Sequence, residues 1–106
     1  MAAEDGLFSR GTGLREKKRE KLKEPEMYRV VLHNDDYTTR EFVVSVIMAV
    51  FHKTASEATR IMLDVHRKGR GTVGVYIYDI AETKARQVKE LAAAEEFPLK
   101  CTVEKD

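Results

Sequence analysis

The hydrophobic pattern of residues 27–106 switches repeatedly between a period of two and a period near 3.6, and this alternation constrains the fold most. Residues 28–33 are rich in β-branched and apolar side chains and predict a strand. A turn cluster of Asn and Asp follows at residues 34–37, and Thr38-Thr39-Arg40-Glu41 then matches a helix capping box. Apolar side chains at helical spacing come next: Phe42, Val43, Val46, Ile47 and Val50. The pattern therefore predicts a strand that leads into a capped helix.

The same alternation continues along the rest of the chain. A second capping box at residues 54–57 opens another helix. Residues 72–78 predict a second strand with three apolar side chains on one side: Val73, Val75 and Ile77. A third helix starts near Asp79, and Pro98 precedes the last strand, where a missing amide is tolerated. The order β-α-α-β-α-β predicts an α+β sandwich, a three-stranded antiparallel sheet with three helices packed on one face.

Charge is distributed unevenly along the 106 residues. The chain has 19 basic and 18 acidic residues, and a formal net charge of +1 argues against a protein built to coat nucleic acid or an anionic membrane. Residues 1–26, however, hold 7 basic and 6 acidic residues and few apolar ones. Such a segment has little surface to bury against a core, so we expect a flexible, disordered N-terminal extension. The predicted core domain is residues 27–106.

Enzyme signatures are missing from the sequence. It contains no Walker-type glycine loop, GxSxG elbow or HExxH motif, and no Cys or second His stands at metal-ligand spacing from any histidine. We therefore expect neither enzymatic activity nor a metal or other cofactor. The single cysteine, Cys101, fits a reducing compartment, and no apolar run approaches the ~18 residues of a membrane span. These features predict a cytoplasmic protein without a membrane partner, and we expect a monomer.

A short basic loop, Arg67-Lys68-Gly69-Arg70-Gly71, is the feature that suggests contact with phosphate. Basic residues at this position also favour the helix C-terminal dipole, and the glycines supply a left-handed cap. A β-α-α-β core is similar to that of KH-type RNA binders, but residues 51–54 lack the GxxG loop that those domains need. We expect no nucleic-acid partner, and a small RNA- or ribosome-binding domain remains the alternative function.

An acceptor-rich cluster, Asn34-Asp35-Asp36-Tyr37-Thr38, follows the first predicted strand. A turn and a helix cap explain part of it, but two adjacent carboxylates and an amide carbonyl exceed what a turn needs. Carboxylate and carbonyl oxygens accept hydrogen bonds from a cation or an ammonium group, and the neutral imidazole of His66 offers a further acceptor. Beside the apolar Met62 and Val65, these groups suit a positive amine joined to a hydrophobic side chain.

Several segments resemble the Clp protease adaptor family ClpS, in the order and spacing of that family. They are Met27-Tyr28-Arg29-Val30, Asn34-Asp35-Asp36-Tyr37-Thr38, Glu41-Phe42-Val43, residues 58–63, Val65-His66, Ala81-Glu82-Thr83-Lys84 and residues 98–105. The resemblance spans the core domain. It implies an adaptor that recognises N-degrons, substrates whose first residue is Leu, Phe, Tyr or Trp, and passes them to the ClpA unfoldase of the ClpAP protease. It also implies that the N-terminal extension acts in delivery.

The resemblance also implies a role for each residue that matches the family pattern. The substrate's α-amino group would contact Asn34, Asp35 and His66. The first peptide unit and the pocket mouth would involve Asp36, Thr38 and Arg40. The side-chain pocket would be lined by Val43, Ile47, Met62, Val65 and Leu99, for which core packing is the simpler alternative. The docking surface for the N-domain of the unfoldase would contain Asp79, Glu82 and Lys84, where solvated charges at a helix start are the alternative for Asp79 and Glu82.

The chain departs from the family pattern at the pocket rim. The family usually continues Tyr-Thr-Pro-Met-Glu-Phe, whereas this chain has Tyr-Thr-Thr-Arg-Glu-Phe at residues 37–42. The family methionine helps to screen which side chains enter the pocket. Arg40 would cover the rim with its stem, keep its guanidinium in water and stack on an aromatic first residue. We therefore expect Arg40 to alter the ranking of Leu against the aromatic residues.

Overall fold

Three strands and three helices follow one another in the predicted order within residues 24–106, the part of the chain that the computed structural model describes. Their bounds are β1 Met27–His33, α1 Arg40–Phe51, α2 Ala55–Lys68, β2 Arg70–Ile77, α3 Tyr78–Ala94 and β3 Lys100–Lys105. The strands form an antiparallel sheet in the order β2-β1-β3. The predicted α+β fold is therefore confirmed. The predicted N-terminal extension lies outside the described residues except at residues 24–26.

The helices pack on one face of the sheet. Val30 and Leu32 of the central strand β1 are fully buried on that face, within a hydrophobic core to which all three helices contribute. The helical members of this core include Val46, Ile47, Val50, Ala58, Met62, Val65, Ala81, Ala85 and Val88. Because β1 pairs with a strand on each side, its backbone is hydrogen-bonded along both edges. The loop that follows β1 therefore starts from a rigid position.

A β-bulge in β2 changes which of its side chains face the core. Val30 pairs with Gly74 whereas the next residue, Val31, pairs with Thr72, so Val73 is the extra residue. Val73 is buried in the core, but Val75 is 41% exposed and Ile77 is 39% exposed. The prediction that these three residues share one side is wrong. The extra residue reverses the alternation of the strand, an effect that hydrophobic periodicity does not reveal.

The N-terminal cap of α1 lies one residue later than the first capping box predicts. The Thr39 hydroxyl accepts a hydrogen bond from the Phe42 amide at 3.2 Å, which makes Thr39 the cap residue. Thr38 instead donates its hydroxyl to the Asp35 carboxylate at 2.7 Å. A charged carboxylate is the stronger acceptor, so the first threonine belongs to the loop and the second to the helix.

Helix α2 begins with the predicted capping box and ends next to the loop that follows β1. Thr54 and Glu57 exchange hydrogen bonds, with the Glu57 amide donating to the Thr54 hydroxyl and the Thr54 amide to the Glu57 carboxylate. The helix ends at Gly69, whose φ of 86° lies in the left-handed region that glycine adopts without strain. The Gly69 carbonyl accepts a hydrogen bond from the Asn34 amide at 2.8 Å. This bond joins the two segments that carry the predicted amine-binding residues.

Candidate binding site

A cavity of about 450 Å³ opens between the loop after β1, the first turn of α1 and the C-terminal half of α2. The side formed by the loop after β1 presents polar side chains, whereas the apolar ones come from α1, α2 and Leu99. Among the residues lining it are ten that the sequence assigns to the substrate: Asn34, Asp35, Asp36, Thr38, Arg40, Val43, Met62, Val65, His66 and Leu99. The fold therefore gathers residues from three separate stretches of the chain, within 33–43, within 62–66 and at Leu99, into one site.

Asp35 organises the polar side of this cavity. Its Oδ1 accepts hydrogen bonds from the Tyr37 amide at 2.8 Å and from the Thr38 amide at 2.7 Å, and its Oδ2 accepts the Thr38 hydroxyl. Desolvation acts to raise the pKa of the Asp35 carboxyl, but these hydrogen bonds outweigh it and hold the pKa below its usual value. The carboxylate is therefore ionised and fixed in place. Since a carboxylate has about four acceptor positions, the three bonds leave room for one more donor.

Four apolar side chains form the wall of the cavity: Val43, Met62, Val65 and Leu99. Each is buried, with an exposed fraction of 9% or less, so each packs into the core and also borders the cavity. Ile47 behaves differently, because it is completely buried within the core and is not among the lining residues. The structure therefore places Ile47 behind the wall and not at its surface.

Arg40 and His66 meet across the mouth of the cavity. Arg40 is the first residue of α1 and His66 lies in the last turn of α2, and their side chains are both exposed. The Arg40 Nη2 donates a hydrogen bond to the His66 Nε2 at 2.9 Å. A guanidinium has no acceptor, so His66 accepts in its neutral form. Sequence spacing does not reveal this contact, which joins residues that are far apart in the chain.

Four further residues line the cavity that the sequence did not assign to it: His33, Tyr37, Thr39 and Glu41. Tyr37, Thr39 and Glu41 are next to predicted site residues in the sequence. This adjacency is the only sequence signal that could have assigned them to the cavity. His33 ends β1, and its Nε2 lies 2.8 Å from the Thr102 hydroxyl of β3. Desolvation, together with the nearby positive charges of Lys100 and Arg70, lowers the pKa of His33. Both effects disfavour the charged form of His33 at the cavity edge.

The predicted docking residues lie on α3 and do not line the cavity. Asp79 and Glu82 are exposed near the start of the helix, and the Glu82 carboxylate raises the pKa of the Tyr78 hydroxyl by its charge and by a hydrogen bond. Lys84 has a different environment. Its Nζ donates to the Val50 carbonyl at 2.7 Å, which satisfies a free acceptor at the C-terminal end of α1.

Two aromatic rings hold the Lys84 ammonium in this position. Its Nζ lies 5.8 Å from the centre of the Phe51 ring and 5.4 Å from that of the Tyr76 ring. Cation–π attraction adds to the hydrogen bond with the helix end, and the side chain is partly buried. Lys84 therefore connects α3 to the C-terminus of α1, so its charge is engaged within the fold.

The basic loop predicted at residues 67–71 lies at the end of α2 and the start of β2. Arg67 and Lys68 are exposed in the last helical turn, where positive charge is favourable, and Arg70 forms an ion pair with Glu104. Within residues 24–106, no three His, Cys, Asp or Glu side chains are grouped so as to hold a metal ion. Over the same residues, no helix has the length and apolar character needed to cross a membrane.

Comparison with known proteins gives matches over most of the chain. A family model described as ATP-dependent Clp protease adaptor protein ClpS matches residues 23–102. The protein named ATP-dependent Clp protease adapter protein ClpS from Syntrophus aciditrophicus (strain SB) is 60% identical over 85 residues, which cover 80% of this chain and 79% of that protein. The protein of the same name from Maricaulis maris (strain MCS10) is 50% identical over 103 residues, which cover 97% and 94%.

A solved structure is also similar. It is described as the structure of Agrobacterium tumefaciens ClpS2 bound to L-phenylalaninamide. The match has a TM-score of 0.77 and 44% sequence identity, and it covers 78% of this chain and 100% of that chain. The similarity therefore extends over the whole of that chain.

Proposed function

The chain belongs to the ClpS family of ATP-dependent Clp protease adaptors, and on that basis we propose that it binds N-degrons, proteins with a free α-amino group and Leu, Phe, Tyr or Trp as first residue. The observation that carries the proposal is a single cavity with hydrogen-bond acceptors on one side and an apolar wall on the other. The bound protein is then delivered to a ClpA-type unfoldase in the cytoplasm. The adaptor acts as a monomer, and its part is binding, with no catalytic step.

The polar side of the cavity suits an ammonium group. Asp35 is ionised, is held by the loop and retains one acceptor position, while the neighbouring Asp36 carboxylate is exposed at the same cavity. Asn34 is anchored through its backbone amide to the Gly69 carbonyl at the end of α2, and it lines the cavity together with His66. A hydrogen bond between charged partners contributes about 1.5–3 kcal/mol, so loss of the ammonium charge has a large effect.

The apolar wall suits a large hydrophobic side chain. Burial of a Leu or Phe side chain contributes about 1.5–3 kcal/mol, whereas an alanine methyl group contributes much less. L-Phenylalaninamide, the ligand of the Agrobacterium relative, combines a free α-amine with a benzyl side chain. Those two groups match the two sides of this cavity, and this likeness supports the same substrate class here.

Fluorescence anisotropy with labelled peptides tests the proposal. Peptides that differ only in the first residue, Phe, Leu or Ala, are compared with an acetylated Phe peptide. We expect the Ala peptide to bind about 10- to 100-fold more weakly than the Phe peptide because the apolar wall stays unfilled. Acetylation removes the positive charge, and we expect it to weaken binding by about 100-fold or more. Equal affinity for all four peptides would exclude an N-terminal binding site.

Docking to the unfoldase is the second part of the proposed function. Asp79 and Glu82 are the proposed contacts, because both are exposed and neither lines the cavity. Lys84 contributes by fixing α3 against the end of α1. Charges at the rim of an interface mainly govern the rate and specificity of association. A change at these positions should therefore affect delivery without affecting peptide binding.

We expect Glu82→Lys to slow degradation of a Phe-initiated reporter by a ClpA–ClpP protease several-fold, with unchanged affinity for the Phe peptide. Glu90→Lys is the matched control, since Glu90 is an exposed residue further along the same helix. Degradation rates at several adaptor concentrations measure the effect. If Glu82→Lys and Glu90→Lys deliver the reporter equally well, the proposed docking surface is wrong.

A further inference from the structure

The hydrogen bond between Arg40 and His66 determines which nitrogen of the imidazole is free. Arg40 Nη2 lies 2.9 Å from His66 Nε2, and a guanidinium is always a donor in proteins. The Nε2 atom therefore carries the lone pair, and the proton of the neutral ring lies on Nδ1. A neutral imidazole has one acceptor nitrogen, so the Arg40 guanidinium occupies the acceptor of His66.

This arrangement conflicts with the role proposed for His66 in amine binding. An ammonium group has three donors and no acceptor, so it cannot bind to the protonated Nδ1. A substrate amine that donates a hydrogen bond to His66 must therefore take the single lone pair of the neutral ring and release the Arg40 side chain. Both side chains are exposed, so the guanidinium is free to move. The ammonium and the guanidinium thus compete for the same lone pair.

We propose that Arg40 is a specificity-determining residue that competes with the substrate amine for His66 and thereby favours aromatic over aliphatic first residues. The inference rests on the proposed function. Every substrate loses the Arg40–His66 bond on binding, a cost of about 2- to 10-fold in affinity for a neutral acceptor. An aromatic first residue offers the released guanidinium a ring face, which restores about 2- to 5-fold at an exposed site. A leucine side chain offers no such surface.

Acidic neighbours do not remove this discrimination. The carboxylates of Asp36 and Glu41 line the same cavity and can attract the released guanidinium. That attraction is the same whether the first residue of the substrate is Phe or Leu. Only the side chain that enters the cavity differs between the two substrates. Contact of the guanidinium with the aromatic ring is therefore what makes the affinities for Phe- and Leu-initiated substrates differ.

Affinities of three variants for matched Phe- and Leu-initiated peptides test the inference. Arg40→Ala removes the competitor without adding an apolar group, and Arg40→Met adds one. We expect both variants to bind the Leu peptide about 2- to 10-fold more tightly than the unchanged protein does, and the ratio of Phe to Leu affinity to fall by about 2- to 5-fold. Arg60→Met is the charge-matched control, because Arg60 is exposed on α2 and does not line the cavity. It should leave the ratio unchanged.

Nitrogen-15 NMR of labelled histidine gives an independent reading. In the free, unchanged protein, the shifts of His66 should place the proton on Nδ1, and Arg40→Ala should release the ring to a mixture of tautomers. A proton on Nε2 in the free protein, or an unchanged affinity ratio in both Arg40 variants, would overturn the inference. If the unchanged protein binds Phe and acetylated Phe peptides equally, the proposed function itself fails. The two failures are therefore distinguishable.

Discussion

Replacement of Asp35 by alanine is expected to weaken binding of a Phe-initiated peptide by about 100-fold or more. The substitution removes the charged acceptor for the substrate amine, a contact of about 1.5–3 kcal/mol. It also removes the acceptor of the hydrogen bonds from Tyr37 and Thr38 that shape the loop. The cavity therefore loses both the negative charge of Asp35 and the hydrogen bonds that hold the loop in shape. Anisotropy titrations with the Phe peptide measure the change, and Asp79→Ala, an exposed aspartate outside the cavity, serves as control.

Asp35→Asn separates the two contributions. An asparagine carbonyl oxygen accepts the amides of Tyr37 and Thr38 as the carboxylate does, so the loop is retained while the charge is lost. We expect Asp35→Asn to bind the Phe peptide more tightly than Asp35→Ala but more weakly than the unchanged protein. If both variants bind as tightly as the Asp79→Ala control, Asp35 has no part in amine recognition.

The lowered pKa of Asp35 gives the sign of its contribution to stability. A carboxyl whose pKa is lower in the folded chain than in the unfolded chain stabilises the fold above the unfolded value. That contribution is lost only as the pH falls through the lowered, folded value. At neutral pH it is fully present, because the Thr38 and Tyr37 hydrogen bonds keep the carboxylate ionised. Peptide affinities measured near pH 7 therefore compare each variant with an unchanged protein whose loop is intact.

Most features that depend on neighbours in sequence could be predicted, although the cap of α1 is Thr39 and not Thr38. The box at Thr54 and Glu57 is local, and its hydrogen bonds are formed as the pattern predicts. The order of strands and helices follows from periodicity, which reports which side chains must be buried. The acceptor-rich loop is predictable because the acceptors of Asn34, Asp35 and Asp36 together exceed what a turn needs. That these residues face the same cavity as His66 and Met62 also agrees with the arrangement expected from the sequence.

Features that depend on distant contacts could not be predicted. The bulge at Val73 arises from pairing with β1, so the exposure of Val75 is not visible in the alternation of β2 itself. The contact of Arg40 with His66 and that of Lys84 with the end of α1 join different helices. Charge patterns give the type of each side chain but not its partner. A tertiary contact can change the role of a charged side chain. The ammonium of Lys84, for example, donates a hydrogen bond to the Val50 carbonyl within the fold.

The resemblance and the structure assign different positions to Ile47. The resemblance implies that it lines the side-chain pocket, whereas the structure buries it in the core. It is completely buried in α1 and packs within the core, and the cavity is lined instead by Val43, Met62, Val65 and Leu99. We expect Ile47→Ala to lower the free energy of unfolding by about 2–5 kcal/mol, because it leaves a cavity among helices and sheet. In a small domain with a total stability of about 5–15 kcal/mol, such a loss is large.

Ile47→Val keeps the domain folded and decides the question of its role. We expect a loss of about 0.5–1.5 kcal/mol in urea unfolding and no change in the ratio of Phe to Ala peptide affinity, because one methylene is removed from the core and none from the cavity wall. Met62→Ala is the matched comparison: Met62 is 9% exposed and lines the cavity, so its truncation should change that ratio as well as stability. A residue behind the wall affects selectivity only through the side chains that cover it. If Ile47→Val changes the ratio of Phe to Ala peptide affinity as much as Met62→Ala does, Ile47 therefore belongs to the pocket.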